Sequence, residues 1–290
     1  MHLQYPKRVS IAFSNTIIRL YNRAKNTIDD EIIFDLSRSE SLTPFGVIML
    51  TSTIDECFRR GKKCSYLEPA KVSLKTFLVD IGFHSLFHLS TDDIIPDRMQ
   101  TGTFQLRRVK GLDALIAETL TEIIGHQVNI SPGLNYSLRL SLTELMTNVV
   151  DHSGIQDYYV CAYTYPERGQ LRLCIADGGM GILRSLYLSK KFKLNLRNSH
   201  DAIILASTEG VSARPSRGGL GLSHLKGFAK VNEGQMCIIS GRGKVFWKYD
   251  QGKIMKQKMT KPFIGTIVKF VINTDKEGLY FLVGEKDFLF

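Results

Sequence analysis

The stretch Leu138-Arg-Leu-Ser-Leu-Thr-Glu144-Leu-Met-Thr-Asn148-Val-Val-Asp151-His152 carries two patterns at once. Leu138, Leu142, Leu145 and Val149 recur at the spacing of one helix face, which predicts an amphipathic helix over 135–150. At about 3.6 residues per turn, Glu144, Asn148, Asp151 and His152 fall on the opposite side, within about 100° of one another. A carboxylate, a carboxamide and an imidazole thus share one face. Alone, such a face is what any solvated amphipathic helix presents.

The sequence downstream adds to it. Leu171–Ala176 has strand patterning and ends in Asp177-Gly178-Gly179-Met180-Gly181-Ile182. Closely spaced glycines let backbone approach a ligand and tolerate positive φ. An acid at such a strand end can accept a hydrogen bond from an exocyclic amine. Further on, Ser216-Arg217-Gly218-Gly219-Leu220-Gly221-Leu222 opens an expected helix. Exposed N–H groups and the helix dipole favour an anion there. The run is neither a Walker loop nor a GxGxxG after a strand.

Working outward, 158–165 and 170–176 read as a hairpin around Pro166-Glu167-Arg168-Gly169. Strands are expected at 103–109, 235–240, 244–249 and 266–272, and helices at 112–124, 200–207 and 220–231. This half reads as an α/β layer domain with mostly antiparallel strands. Upstream, a helix is expected at 15–26, strands at 31–36 and 63–67, and helices at 43–60 and 73–81. Pro44 near the start and Gly61 just past the end frame the first of the last two helices. That β-α-β-α order favours a small parallel or mixed sheet. The polar stretch 84–102 is the expected linker, dividing the chain into 1–100 and 101–290.

The order and spacing of the three glycine- and acid-bearing elements resemble the GHKL, or Bergerat-fold, superfamily of gyrase, the ninety-kilodalton heat-shock chaperone, histidine kinases and mismatch-repair ATPases. Glu144 to His152 is similar to its N box. Asp177 to Gly181 is similar to its DxGxG box, and Gly218 to Leu222 to its second glycine box. Gly265-Thr266 is similar to its terminal GT element. The resemblance implies an α+β two-layer sandwich over about 105–275 that binds ATP with Mg2+. It implies that Asn148 coordinates the metal and that Glu144 positions or deprotonates the attacking group. Asp177 would meet the adenine amine with Thr266 nearby, and Gly179 and Gly181 would leave room for base and sugar. Ile182 follows that turn. Gly219 and Gly221 would lie against the phosphates, with Arg217, Gly218, Leu220 and Leu222 around them, and Asp151 and His152 close by. Residues 183–217 would form a nucleotide lid carrying Lys190, Lys191, Lys193, Arg197, Arg214 and Arg217.

Residues 31–83 resemble a STAS domain, a smaller βαβα unit found in anti-sigma-factor antagonists. The likeness rests on Ile32–Leu36, the helix from Thr43, Arg59-Arg60-Gly61-Lys62 and Leu78-Val-Asp80-Ile81-Gly82-Phe83. It departs where phosphorylated antagonists carry a serine. Aligning on Gly46 places Pro44 and Phe45 there, with Ser41 and Thr43 displaced. A recognition or packing role is therefore expected rather than control by serine phosphorylation.

Composition limits the alternatives. The chain has 290 residues, 43% of them hydrophobic, enough for two domains. No apolar run approaches the ~20 residues needed to span a bilayer, and Met1 to Lys7 lacks an apolar signal core, so a soluble cytoplasmic protein without membrane partners is expected. Five scattered cysteines without a CxxC pair argue against a zinc site or a disulfide framework. The net charge of +10 permits nucleic-acid binding, but the basic residues are spread out and read mainly as solvated faces.

Four function classes stay open. The first is an ATP-binding signalling switch acting on an unidentified protein partner, with a homodimer possible. The second is a protein kinase modifying a partner; no phosphoacceptor hairpin of the histidine-kinase kind is expected ahead of the domain. The third is an ATP-hydrolysing clamp on nucleic acid, although no transducer-sized segment follows. The fourth is an α+β binding protein without a nucleotide. Whether the chain is an enzyme at all, a slow ATPase or a kinase, is left undecided at this level.

Overall fold

The computed structural model describes residues 1–86, 102–152, 157–189, 198–211, 221–276 and 278–281. In chain order the N-terminal elements are β1 (His2–Gln4), β2 (Arg8–Val9), α1 (Ser14–Asn26), β3 (Glu31–Asp35), β4 (Ser41–Leu42), α2 (Pro44–Arg59), β5 (Lys63–Leu67) and α3 (Val72–Asp80). Strands β1, β3 and β5 form a parallel sheet in the order β1-β3-β5. The β-α-β-α reading therefore holds, and the sheet is parallel. The strand β1, too short to show a pattern, is an addition. Helix α2 begins as its sequence dictates: Thr43 accepts from Gly46 N through Oγ1 (3.4 Å), and Pro44 occupies the first turn, where its missing N–H costs nothing.

The second half contains β6 (Thr103–Lys110), α4 (Ala114–Gln127), α5 (Pro132–His152), β7 (Asp157–Tyr165), β8 (Gln170–Asp177), α6 (Ile182–Leu188), α7 (Ser199–Ala206), α8 (Gly221–Val231), β9 (Gln235–Lys248) and β10 (Lys253–Asn273). Its strands form one antiparallel sheet in the order β6-β7-β8-β10-β9. The β7–β8 hairpin turns through Pro166–Arg168 and Gly169, as the sequence predicts. Helix α6 was not anticipated; it lies in the segment read as a lid.

Strands β9 and β10 are longer than expected. Fourteen residues in extension would span roughly 46 Å. Yet Tyr249 N donates to Gly234 O at 3.1 Å, so the two ends of β9 lie side by side. The segment doubles back near Gly241, where φ is +57°. Its arms correspond to the two strands expected at 235–240 and 244–249. Residues 266–271 of β10 pair with the first arm, and 253–258 with the second.

The sheet is buried on both faces. On one, α4, α5 and α8 pack with alternate strand residues, among them Val160, Leu173, Ile175, Ile238 and Phe270. Leu138, Leu142, Leu145 and Val149, the predicted stripe of α5, are all in this cluster. On the other face, residues of α1, α2 and the parallel sheet share one continuous core with Tyr159, Cys161, Cys174, Cys237, Ile239 and Ile267. Each fully buried aliphatic or aromatic side chain in such a core is worth roughly 1.5–3 kcal/mol.

The chain is thus a mixed α/β structure in which the N-terminal unit covers a face of the antiparallel sheet. Polar bonds fix that contact. Leu106 N donates to Ile81 O (2.8 Å), Asn22 Nδ2 to Pro262 O (2.9 Å), and Lys244 Nζ to Ile11 O (2.9 Å) and Ser14 Oγ (3.0 Å). Arg108 pairs with Asp55 of α2 (3.1 Å) and with Asp157.

One row across this covered face is unusual. Ladder register sets Cys161 opposite Cys174, Cys174 opposite Lys269, and Lys269 opposite Cys237. Burial lowers the Lys269 amine to about 8. Its charge is met by the face of Phe246, 5.3 Å away. Part of the expected linker, 87–101, lies outside the described residues.

Candidate functional site

Asp177 is the last residue of β8, and alternation places it on the helix-covered face together with Leu171, Leu173 and Ile175. It is 9% exposed. Its Oδ1 accepts from Gly179 N at 2.8 Å, so the turn folds back over its own acid. Burial raises the carboxyl to about 6, against backbone hydrogen bonds from Gly179 and Thr266 that pull it down. In the ladder it lies between Tyr158 and Thr266. The Tyr158 hydroxyl is buried and has no partner among the described residues. This leaves a carboxylate and a phenol on one face at one end of the sheet, neither matched, among the described residues, by a side-chain partner of opposite character.

The turn after Asp177 is locked from the neighbouring strands. Ser240 Oγ donates to Gly265 O (3.0 Å), accepts from Ile182 N (2.9 Å), and lies 3.3 Å from Thr266 Oγ1. One hydroxyl therefore joins the start of α6, the end of the first β9 arm and the start of the paired part of β10. Gly265 has φ +105°, and a Cβ there would lie 1.9 Å from Asp177 O. Gly181 has φ +78°, and its Cβ would meet Ser240 Oγ at 2.8 Å. Both positions need glycine because backbone and hydroxyl already fill the space. Ser240 was missed from sequence; its only local signal is a strand end before a Gly-containing turn, which many surface hairpins share.

The second part of the site is the junction of α5 and α8. Glu144 Oε2 accepts from Gly221 N at 2.8 Å, so the acid caps the first turn of α8. A Cβ on Gly221 would come 3.1 Å from Ser141 O, which explains how closely the helices meet. One turn along α5, Asn148 is half-buried, and among the described residues its carboxamide makes no hydrogen bond. Asp151 is exposed. Leu222 packs against the core of this face, as does Ile182.

Helix α5 ends shortly before β7 begins at Asp157, and Tyr158 pairs with Asp177. The polar end of α5 and the Asp177 turn therefore occupy the same end and the same face of the sheet. The structure joins Glu144 to Gly221, and Asp177 to Gly179, Thr266 and, through Ser240, Gly181 and Ile182. Arg217, Gly218, Gly219 and Leu220, the side chain of His152, and the lid cations Lys190, Lys191, Lys193, Arg197 and Arg214 lie outside the described residues.

A cavity of about 420 Å³ opens beside the Asp177 turn, between α6, the start of α7 and β9. Met180, Leu183 and Tyr187 give it apolar walls, and Arg184, Ser199 and Ser240 line it as well. Among the described residues, no group of three or more His, Cys, Asp or Glu could hold a metal, and no helix is long and apolar enough to cross a membrane. No protein-family model and no curated protein matches the chain.

Proposed function

We propose that the chain binds a purine nucleotide, ATP with Mg2+, at the end of the antiparallel sheet where Asp177 and the polar end of α5 meet, and that it works as a nucleotide-dependent switch on a protein partner. The observation that carries this reading is Asp177. A carboxylate that stays buried, without a cationic partner among the described residues and with its pKa raised to about 6, destabilises the free protein. Such an arrangement is retained where a ligand supplies the missing donor. An adenine amine is such a donor.

In this reading the layout is of the Bergerat type, and the N-terminal βαβα unit is STAS-like. Asp177 and Thr266 hold the base, with Ile182 and the Gly179–Gly181 turn against base and sugar. The α8 start at Gly221 and Leu222, preceded by Arg217 to Leu220, receives the phosphates, with Asp151 and His152 near them. The carboxamide of Asn148, without a hydrogen bond among the described residues, suits Mg2+, a hard ion that takes few protein oxygens and keeps phosphate and water oxygens for the rest. When bound, that ion neutralises phosphate charge. Glu144 holds the phosphate-facing end of α8 through Gly221 N. A carboxylate there also serves to orient or deprotonate an attacking hydroxyl if phosphate is transferred.

The continuous core under the sheet supports a switch in which the N-terminal unit moves with the nucleotide domain. The partner then reads the lid region. The test is thermal unfolding with ATP and Mg2+: at a hundredfold excess over Kd, binding adds about 2.7 kcal/mol of stability. A folded protein whose melting point is unmoved by millimolar ATP·Mg2+ refutes the reading. Incubation with labelled ATP and a candidate partner then separates a kinase, a hydrolase and a passive switch by where the label appears.

A further inference from the structure

The antiparallel sheet has two margins, and they are finished differently. At one, β6 pairs with β7 through a register shift between Phe104 and Arg107, and Leu106 N on that strand donates to Ile81 O of the N-terminal unit (2.8 Å). An irregular register and a hydrogen bond to adjoining chain are two ways in which a sheet edge is closed. At the other margin, the second arm of β9 lies between its first arm and residues 253–258 of β10. Those six residues pair in unbroken register from Lys253 opposite Lys248 to Lys258 opposite Gly243, and the register shifts only after Lys258. Among the described residues, no strand lies on their outer side. A regular strand in this position presents a row of backbone N–H and C=O groups to an incoming chain.

The side chains along this edge restrict what that chain can be. All six are exposed, Ile254 at 61% and Met255 at 49%. Facing residues of an antiparallel pair share a side of the sheet. Ile254 and Lys256 lie opposite Trp247 and Val245, which belong to the core under α4, α5 and α8, so Ile254, Lys256 and Lys258 mark that side. Met255 lies opposite Phe246 of the other core and marks the second side. Among the described residues, Lys253, Lys256 and Lys258 have no carboxylate partner. The acid nearest them in sequence, Asp250, accepts instead from Gln235 Nε2 at 3.2 Å. Lysines on an edge reject a strand that brings like charge. That includes a second copy of this chain, whose own edge would set lysine beside lysine. An acidic strand meets no such barrier.

We propose that residues 253–258 dock an acidic extended segment of a partner protein, which adds to the sheet as a further strand. Its backbone continues the ladder. Glu or Asp at alternate positions lies beside Lys256 and Lys258, and an apolar residue between them lies against Met255. Ile254 and Met255 are covered on the two sides of the new strand pair. The paired part of β10 and both arms of β9 separate this edge from Asp177 on β8, so the docking does not depend on the nucleotide.

The full chain, without nucleotide, is titrated at physiological ionic strength against a fluorescein-labelled peptide of alternating Glu and Val, about eight residues long, and binding is read by anisotropy. The comparison probes are the same peptide N-methylated throughout, its Lys–Val counterpart, and a single-stranded oligonucleotide of equal charge. The unmodified acidic peptide is expected to bind, and N-methylation, which removes the donors that join the ladder, is expected to weaken it by roughly tenfold or more. Lys256→Glu with Lys258→Glu, both at exposed positions, is expected to keep the circular dichroism of the wild type, to lose roughly tenfold or more in affinity for the acidic peptide, and to admit the Lys–Val peptide. Lys256→Gln serves if the double reversal disturbs the strand. Absence of binding at millimolar acidic peptide overturns the proposal. So does equal binding of the N-methylated peptide, tighter binding of the oligonucleotide, or an affinity that the lysine variants leave unchanged. None of these results bears on ATP binding.

Discussion

Replacing Asp177 by Asn is expected to make the protein more stable and its nucleotide binding weaker. Burial raises this carboxyl from 3.8 to about 6. At about 1.4 kcal/mol per pKa unit, the ionised group costs the folded protein about 3 kcal/mol at pH 7. Asparagine keeps an oxygen for Gly179 N but gives up the second acceptor, a loss of about 1 kcal/mol. The net expectation is a gain of about 2 kcal/mol at pH 7.

The sign with pH follows from linkage. The folded carboxyl holds its proton more tightly than the unfolded one, so the cost is fully present above pH 6 and fades as pH falls toward 3.8. At pH 4.5 about 1 kcal/mol of the cost remains, and the advantage of the variant falls to near zero. Urea unfolding of both proteins at the two pH values reads this directly, and calorimetric titration with ATP·Mg2+ reads the binding. Loss of a hydrogen bond to a charged acceptor is expected to weaken adenine-nucleotide binding by about 1.5–3 kcal/mol, roughly ten- to a hundredfold. A variant less stable than wild type at pH 7, or a difference that ignores pH, refutes the reasoning about burial. Unchanged ATP affinity removes Asp177 from the site.

Gly265→Ala would place a Cβ 1.9 Å from Asp177 O at φ +105°, and a loss above about 3 kcal/mol is expected, seen as a lowered melting point by circular dichroism. Asn148→Ala should leave the apo melting point nearly unchanged and abolish the Mg2+ dependence of nucleotide binding; a binding curve with the same Mg2+ requirement as wild type places the metal elsewhere. Glu144→Ala removes the acceptor for Gly221 N and should cost about 1–3 kcal/mol while nucleotide still binds. Loss of any phosphate transfer with retained binding marks Glu144 as the base, and full transfer activity removes it from that role. Lys269→Met relieves a buried amine that burial lowers from the ordinary 10.5 to about 8. The amine's cost, about 3 kcal/mol, is complete below pH 8 and disappears as pH rises toward 10.5. Urea midpoints of the two proteins should therefore differ at pH 7 and draw together toward pH 10, where about 1 kcal/mol of the cost remains.

Elements with a strong local period were legible in the sequence. The stripe Leu138, Leu142, Leu145 and Val149 announced α5, and Thr43, Pro44 and Gly61 framed α2. The part of β10 from Lys253 to Lys258 escaped notice because it carries a strand's pairing without a strand's pattern. It is exposed along its length and lysine-rich, as sheet margins are. Helix α6 was hidden for a related reason: its single buried residue, Leu186, gives no stripe to read. Ser240 could not be singled out, since its role depends on Ile182, Gly265 and Thr266, which reach it from two other elements.

What the sequence determined by itself was local: which segments form helices and strands, where they start and stop, and which acid and amide groups share a helix face or end a strand. Periodicity and capping act over a few residues, so they are written in neighbouring positions. The tertiary structure alone decided what lies over those groups. It placed the N-terminal unit on the second face of the sheet, buried Lys269 and Asp177, and engaged Glu144 with the start of α8. Burial and pKa depend on atoms contributed by distant segments, and no stretch of chain carries that information until the segments have packed.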